Sequence, residues 1–421
     1  GEALTITATD PSMVLTTGTH GLNVLPNKIA LLAESSPGVP LSVVAGRCST
    51  ALYITPAGEN GAAAPVFSAT NVAITGVMGT QAQLYSDAAC TVAINASNFA
   101  LPVTAGGNYQ IPIYLKDDKA ESLSLNVTDP GSVMTTTSGL QSVSVLASNI
   151  DFTGPASVIS GQCSAAFTLS MKDAQGTLVA APANRTLNIR GLESSANGMF
   201  YTSASCTTGG SKTAMTIPQG NSSLQIYFKN TAAENLAVYF QDSLSQMADS
   251  PTRNIAISPS ALTITAPVAG SSKTTVCAGP FTINTRDGAN GVTAALSPIN
   301  VTLTGANTGG AFYTSSSCDT TMTGTTFAVG QSARTFYFQG QYPQAALTFT
   351  ATDNAGVLTS GTANWAVTPA PGFIGTMATT EDSGGNLIWF TQGEVPVSAK
   401  QDAPRGVSAL HFDSSRSYLY V

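Results

Sequence analysis

Three pairs of cysteines recur along the chain in one frame, and this recurrence constrains the fold more than any other feature. The upstream members, Cys48, Cys163 and Cys277, lie in GRCSTALYI, GQCSAAFTL and TVCAGPFTI. The downstream members, Cys90, Cys206 and Cys318, close QLYSDAAC, MFYTSASC and AFYTSSSC, each five residues after a tyrosine (Tyr85, Tyr201, Tyr313). Paired cysteines are 42, 43 and 41 residues apart, and the upstream ones recur every 115 and 114 residues. A period of that length is a domain, long enough to bury its own core. Six cysteines can pair in 15 ways. One pair per copy at near-constant spacing selects Cys48–Cys90, Cys163–Cys206 and Cys277–Cys318 as disulfides, with free buried thiols as the alternative. No C-x-x-C occurs, and His20 and His411 are far from the cysteines in sequence, so zinc ligation has little support. Disulfides in every copy imply an oxidising compartment outside the cytoplasm.

A second frame sets the boundaries. ALTITATD, SLSLNVTD, NLAVYFQD and ALTFTATD end at Asp10, Asp129, Asp242 and Asp353, and each precedes a closing strand: LNVLP, VSVLA, IAISP and WAVTP. Their apolar–polar alternation is the period-2 signal of half-buried strands. Complete repeats are expected at 27–147, 148–259 and 260–369. Residues 1–26 read as the last two strands of a preceding repeat, and 370–421, which lack the frame, as the start of a different β module, similar in its hairpin pattern to a propeller blade. In the second repeat, taken as the type copy, Ala165, Phe167 and Leu169 are expected to face inward. KDAQG supplies a turn from Asp173 to Gly176, and RTLNIRGL a strand with Leu187 and Ile189 on one face. Many short strands with turn residues between them, and no sustained helical periodicity, predict an all-β chain of tandem antiparallel sandwiches.

Charged residues make up only 9% of the chain, against roughly 25% in an ordinary soluble domain. The net charge of −7, with no basic run, argues against nucleic acid as a partner. No apolar stretch is long enough for a transmembrane helix, and the opening residues carry no signal-peptide pattern.

The segments CSAAFTLSMKDAQGTLVAA, RTLNIRGL, TIPQGNSSLQIYFKN and NLAVYF resemble the bacterial immunoglobulin-like repeats of invasin- and intimin-type adhesins. A closer likeness is to the cysteine-containing variants found in tandem in large surface proteins of predatory and gliding proteobacteria. It covers residues 1–369. The resemblance implies extracellular spacers that carry a terminal binding module, and it identifies no ligand-contacting residue. The expected role is therefore a non-enzymatic, cell-surface or outer-membrane-associated stalk that presents a distal module to another cell surface, glycan or protein. Two rival readings are a filament subunit that self-associates through strand edges and the accessory repeats of a secreted enzyme.

No catalytic, cofactor or metal site is expected. His20 and His411 read as strand residues rather than members of a Ser/His/Asp triad. Asp117 and Asp118 lie in KDDKAE and read as a solvated loop. The repeat boundaries LPNK, LASN, SPSA and TPAP contain no carboxylate with which to bind calcium. Phe200, Tyr201, Tyr227 and Phe228, with Phe312, Tyr313, Tyr337 and Phe338, read as core packing rather than a glycan-stacking platform, and Leu84 and Leu115 replace Phe in the first copy.

Peptide mapping of the unreduced protein is expected to recover the three within-repeat pairs; a dominant cross-repeat pair would refute both the pairing and the compartment it implies.

Overall fold

The computed structural model describes residues 2–13, 15–33, 39–77, 80–103 and 109–370, and the backbone of five short strands beyond them. Every regular element in this range is a β-strand. The chain divides into two compact units: Gly1–Val158, Gln162–Asn230 and Asn235–Ala256 form the first, and Ile159–Gly161, Thr231–Glu234 and Ile257–Val421 the second.

In the second repeat one sheet has the strand order Asn149–Thr153, Phe167–Lys172, Ser223–Lys229, Met199–Tyr201. The other runs Ser157–Ile159, Arg253–Ser258, Asn235–Asp242, Arg185–Arg190, Ala214–Ile217. Alternate residues of each strand point between the sheets. Phe152, Phe167, Phe200, Phe228 and Phe240 are all nearly or fully buried there. Phe152 and Phe240, one from each sheet, meet edge to face with centroids 4.8 Å apart, the geometry ring quadrupoles favour. The third repeat builds the same kind of core: Phe281 of one sheet contacts Phe349 and Trp365 of the other at 5.3 and 4.9 Å. The first repeat fills its core with aliphatic side chains, among them Ile29, Leu31, Leu52, Ile54, Leu84, Leu115 and Leu125, each fully buried. Leu84 pairs across strands with Leu115 where Phe200 pairs with Phe228, so one frame accepts both packings.

Two local features depart from the sequence expectation. Ala165 is exposed, because the strand starts only at Phe167. Ser164 turns aside to pair with Phe228, donating its N–H to the Phe228 carbonyl at 2.9 Å and accepting the Phe228 N–H on Oγ at 2.8 Å. The sandwiches are also not purely antiparallel: Leu41–Val44 pairs parallel with Gln141–Leu146, and Ser271–Lys273 with Gly361–Thr368. These short strands follow an opening strand that leaves one sheet for the other. In the second repeat the switch falls at Gly154, where φ is +153° and a Cβ would lie 2.3 Å from the Phe167 ring, so only glycine fits. A glycine also closes the strand at Gly76, Gly191 and Gly305. There a Cβ would meet the carbonyl oxygens of Ser124, Ala237 and Thr348 at 2.1, 1.9 and 2.0 Å.

The aspartates that marked the repeat frame cap a turn. Asp129, Asp242 and Asp353 each accept the N–H groups of residues two, four and five positions on, at 2.7–3.3 Å. The residue three positions on takes positive φ: Ser132, Ser245 and Gly356 at +56°, +53° and +67°. The next side chains but one, Met134, Met247 and Leu358, tuck into the sandwiches. Asp10 builds the same turn, binding Ser12 and Leu15 N–H, between the antiparallel strands Glu2–Ala8 and Gly18–Val24. That hairpin leaves Leu4, Ile6, Leu22 and Val24 exposed, whereas Leu123, Leu125, Val143 and Val145 are buried at the matching positions of the first repeat.

Beyond Thr368, Ala378–Glu381 pairs antiparallel with Leu387–Phe390, and His411–Asp413 with Tyr418–Tyr420. The fold expected for 370–421 otherwise lies outside the described residues.

Asp242 also receives the Arg185 guanidinium. Burial alone would raise its pKa, but Arg185 and the backbone donors of Gln246, Met247 and Leu244 outweigh it and hold the carboxyl below its ordinary range. A lowered folded value means that this stabilisation is complete above the ordinary carboxylate range and is lost as pH falls through the folded value. Asp242→Ala is expected to cost about 3 kcal/mol, because it takes a carboxylate acceptor from the part-buried Arg185 and from three N–H groups. Urea titrations at stepped pH should show the wild-type advantage over the variant shrinking on the acid side.

Candidate functional site

The upstream cysteine of each pair precedes the strand Leu52–Ala57, Phe167–Lys172 or Ala278–Arg286, and the downstream one sits in the turn after the Tyr-bearing strand. The structure brings Cys48 to Cys90, Cys163 to Cys206 and Cys277 to Cys318, with Cα separations of 5.8, 5.6 and 5.8 Å. The downstream cysteines share a left-handed backbone, φ +53°, +52° and +53°. In each the Cys N–H donates to the carbonyl three residues earlier, that of Asp87, Ser203 or Ser315. Except for the buried Cys206, these cysteines are half-exposed. The bridges therefore lie at the margin of the sandwich and within one sheet, unlike the inter-sheet bridge buried in antibody domains. The serine after the first two upstream cysteines locks the neighbouring strand: Ser49 exchanges N–H···O and N–H···Oγ bonds with Leu115, as Ser164 does with Phe228.

The expected aromatic clusters divide by strand alternation. Phe200, Phe228, Phe312 and Phe338 are core residues, whereas Tyr201, Tyr227, Tyr313 and Tyr337 are half-exposed on the opposite face of the same sheet. Tyr201 stands across from Tyr227, Tyr313 from Tyr337, and Tyr85 from Tyr114. The rings of Tyr201 and Tyr337 occupy the space where Gly210 and Gly279 would carry a Cβ. The tyrosines thus cover backbone beside the disulfide turns.

A junction within the first unit is where the sequence reading fails. The turn after Ile111–Lys116 is solvated only in part: Asp118 and Lys119 are exposed, but Asp117 is 1% exposed. Its carbonyl accepts the Gly46 N–H at 2.7 Å, and its Oδ1 accepts the Lys119 N–H at 2.9 Å. The same turn meets the Asp173–Gly176 turn of the second repeat. Asp118 O accepts the Ala174 N–H at 3.1 Å, and Asp173 Oδ2 accepts the Ala120 N–H at 3.2 Å. A Cβ on Gly46 would press to 3.0 Å from the Ala174 methyl. Each turn was legible separately, but no local pattern announced that KDDKAE and KDAQG face each other. Burial pushes the Asp117 carboxyl up, and Glu121 and Asp118 act in the same direction against the Lys119 N–H.

His20 lies on the exposed leading hairpin, opposite Ile6. His411 lies in the strand His411–Asp413. Among the described residues no three His, Cys, Asp or Glu side chains converge as metal ligands, and no helix is long and apolar enough to cross a membrane.

These sheets and turns define the class: tandem immunoglobulin-like β-sandwiches, each with one disulfide. No protein-family model matches the chain, and no curated protein does. Among solved structures the chain is similar to bacterial immunoglobulin-like adhesins. The Escherichia coli adhesin FdeC aligns at TM-score 0.37 and 14% identity, over 81% of this chain and 96% of that one. Invasin, a bacterial integrin-binding protein, aligns at 0.32 and 11%, over 82% and 60%. Yersinia pseudotuberculosis InvD aligns at 0.32 and 12%, over 80% and 96%. Superpositions this loose bear on neither ligand nor activity.

Replacing Cys163 and Cys206 together by alanine is expected to destabilise the second repeat by about 4 kcal/mol, the chain-entropy value for a loop of this length. Guanidinium denaturation of the double variant against the oxidised parent measures it.

Proposed function

We propose that this chain is part of a non-enzymatic, adhesin-type protein of the bacterial surface, in which the repeats at 27–147, 148–259 and 260–369 form a stalk. The observation that carries this reading is the disulfide at the margin of every sandwich. Such a bridge restrains the unfolded chain, and it persists in an oxidising compartment. The low charge and the resemblance of the repeats to adhesin spacers support the same reading. On this proposal residues 370–421 begin the distal module that meets another cell surface, a glycan or a protein. Residues 1–26 supply the last two strands of a further repeat.

A second reading is a filament subunit in which chains join by strand addition at exposed sheet edges. Sedimentation velocity separates the two: a stalk gives one monodisperse species, whereas strand complementation gives polymers that Ile6→Lys disperses. Removing everything after Pro369 is expected to abolish binding to target cells while the three disulfides and the β-sheet circular dichroism persist. Undiminished binding would move the activity into the repeats and overturn the spacer assignment.

A further inference from the structure

We propose that Asp117 and Glu121 hold a single proton between them, and that this proton latches the turn of the first repeat against that of the second until rising pH removes it.

The geometry carries the proposal. Asp117 uses Oδ1 to accept the Lys119 N–H, which leaves Oδ2 buried with no donor. Glu121 uses Oε2 to accept Lys119 Nζ at 3.0 Å, which leaves Oε1 buried with no donor. The two carboxyls converge on one residue, Asp117 on the Lys119 N–H and Glu121 on Lys119 Nζ, and Glu121 acts on Asp117 in the direction that raises its pKa. Two ionised carboxylates present only acceptors, and burying both without compensation is expensive. One proton resolves the conflict, since the protonated Asp117 donates to the Glu121 carboxylate and the pair carries one negative charge instead of two. On deprotonation that proton passes to water.

The surroundings do little to neutralise a second charge. Asp118 lies on the same turn, and Asp173 reaches in from the second repeat to bind Ala120 N–H. Of the nearby cations, Lys119 already serves Glu121, Lys172 is paired with Asp151 at 2.6 Å, Arg47 on the Gly46 turn is exposed, and Lys116 precedes Asp117 on the strand. The repeat frame supplies an independent argument. It places Asn230 where the first copy has Asp117, in FKN against LKD, and Glu234 where that copy has Glu121. Asn230 is fully buried and donates Nδ2 to Ser195 Oγ at 3.3 Å. An amide carries its donor at every pH, and a carboxyl only while protonated. Asparagine at this position suits a proton-bearing acid better than a divalent cation, which would need further oxygen ligands.

Because burial, Glu121 and Asp118 raise the Asp117 value, the latch is fully closed below the ordinary carboxylate range and opens as pH rises through the higher folded value. Hydrogen exchange on the intact chain, corrected for intrinsic rates, reads the latch at the Ala120 and Ala174 amides. Wild-type protection at both is expected to fall on the neutral side by about tenfold for each pH unit separating the folded from the ordinary value. Asp117→Asn and Glu121→Gln should each keep the acid-side protection throughout. Carbon-13 titration of the wild-type side-chain carboxyls needs no variant and should find Asp117 ionising above the ordinary carboxylate range. An ordinary Asp117 titration, or the same pH dependence of protection in wild type and Asp117→Asn, overturns the proposal. So does protection raised by added calcium and reversed by chelator, which would make the pair a cation site.

Discussion

Everything in this chain depends on burying alternate residues of two facing sheets. A strand with side chains on two faces can exclude water from one of them only if a second sheet lies about 10 Å away. Leu123, Leu125 and Val127 are buried by that arrangement, while Leu4 and Ile6, on the leading hairpin, are exposed. The disulfides and aspartate turns act on a scaffold that this burial has already set. They close loops at its margins and fix where each strand ends.

The same frame tolerates two cores. Leu84 and Leu115 in the first repeat become Phe200 and Phe228 in the second and Phe312 and Phe338 in the third, and neighbouring positions change volume with them. Cores accept such exchange when total volume and pattern are kept. The backbone devices do not vary in this way. The aspartate that caps the hairpin turn recurs in all four copies, because no apolar residue could satisfy three N–H groups at that corner. The glycine at Gly76, Gly191 and Gly305 recurs because any side chain would strike a carbonyl about 2 Å away.

The junction in the first unit shows how a repeated architecture acquires individuality. Asp118 engages Ala174 through backbone groups that any sequence would offer, whereas the Ala120 N–H needs the Asp173 carboxylate. What is particular to this copy is a pair of carboxyls buried where the next copy has one carboxyl and an amide.

Much of this was legible in the chain itself. Cysteine spacing, the D-ended strands and the period-2 alternation led to an all-β array with inward Phe167, Leu169, Leu187 and Ile189, since these are local signals repeated often enough to reinforce one another. Alternation also carries the information that Phe200 and Tyr201 face opposite ways, although residue type alone made them look like one cluster. Other features required the tertiary structure. The parallel edge pairing depends on where a strand crosses between sheets, and the solvent exposure of Ala165 on where a ladder begins. The bond from Ala174 N–H to the Asp118 carbonyl joins turns 56 residues apart. Sequence by itself determined which residues alternate, turn and cross-link, because those properties reside in neighbouring residues. Only the tertiary structure decided which turns meet, because that contact joins segments with no local signal in common, and burial there changes what a carboxyl can do.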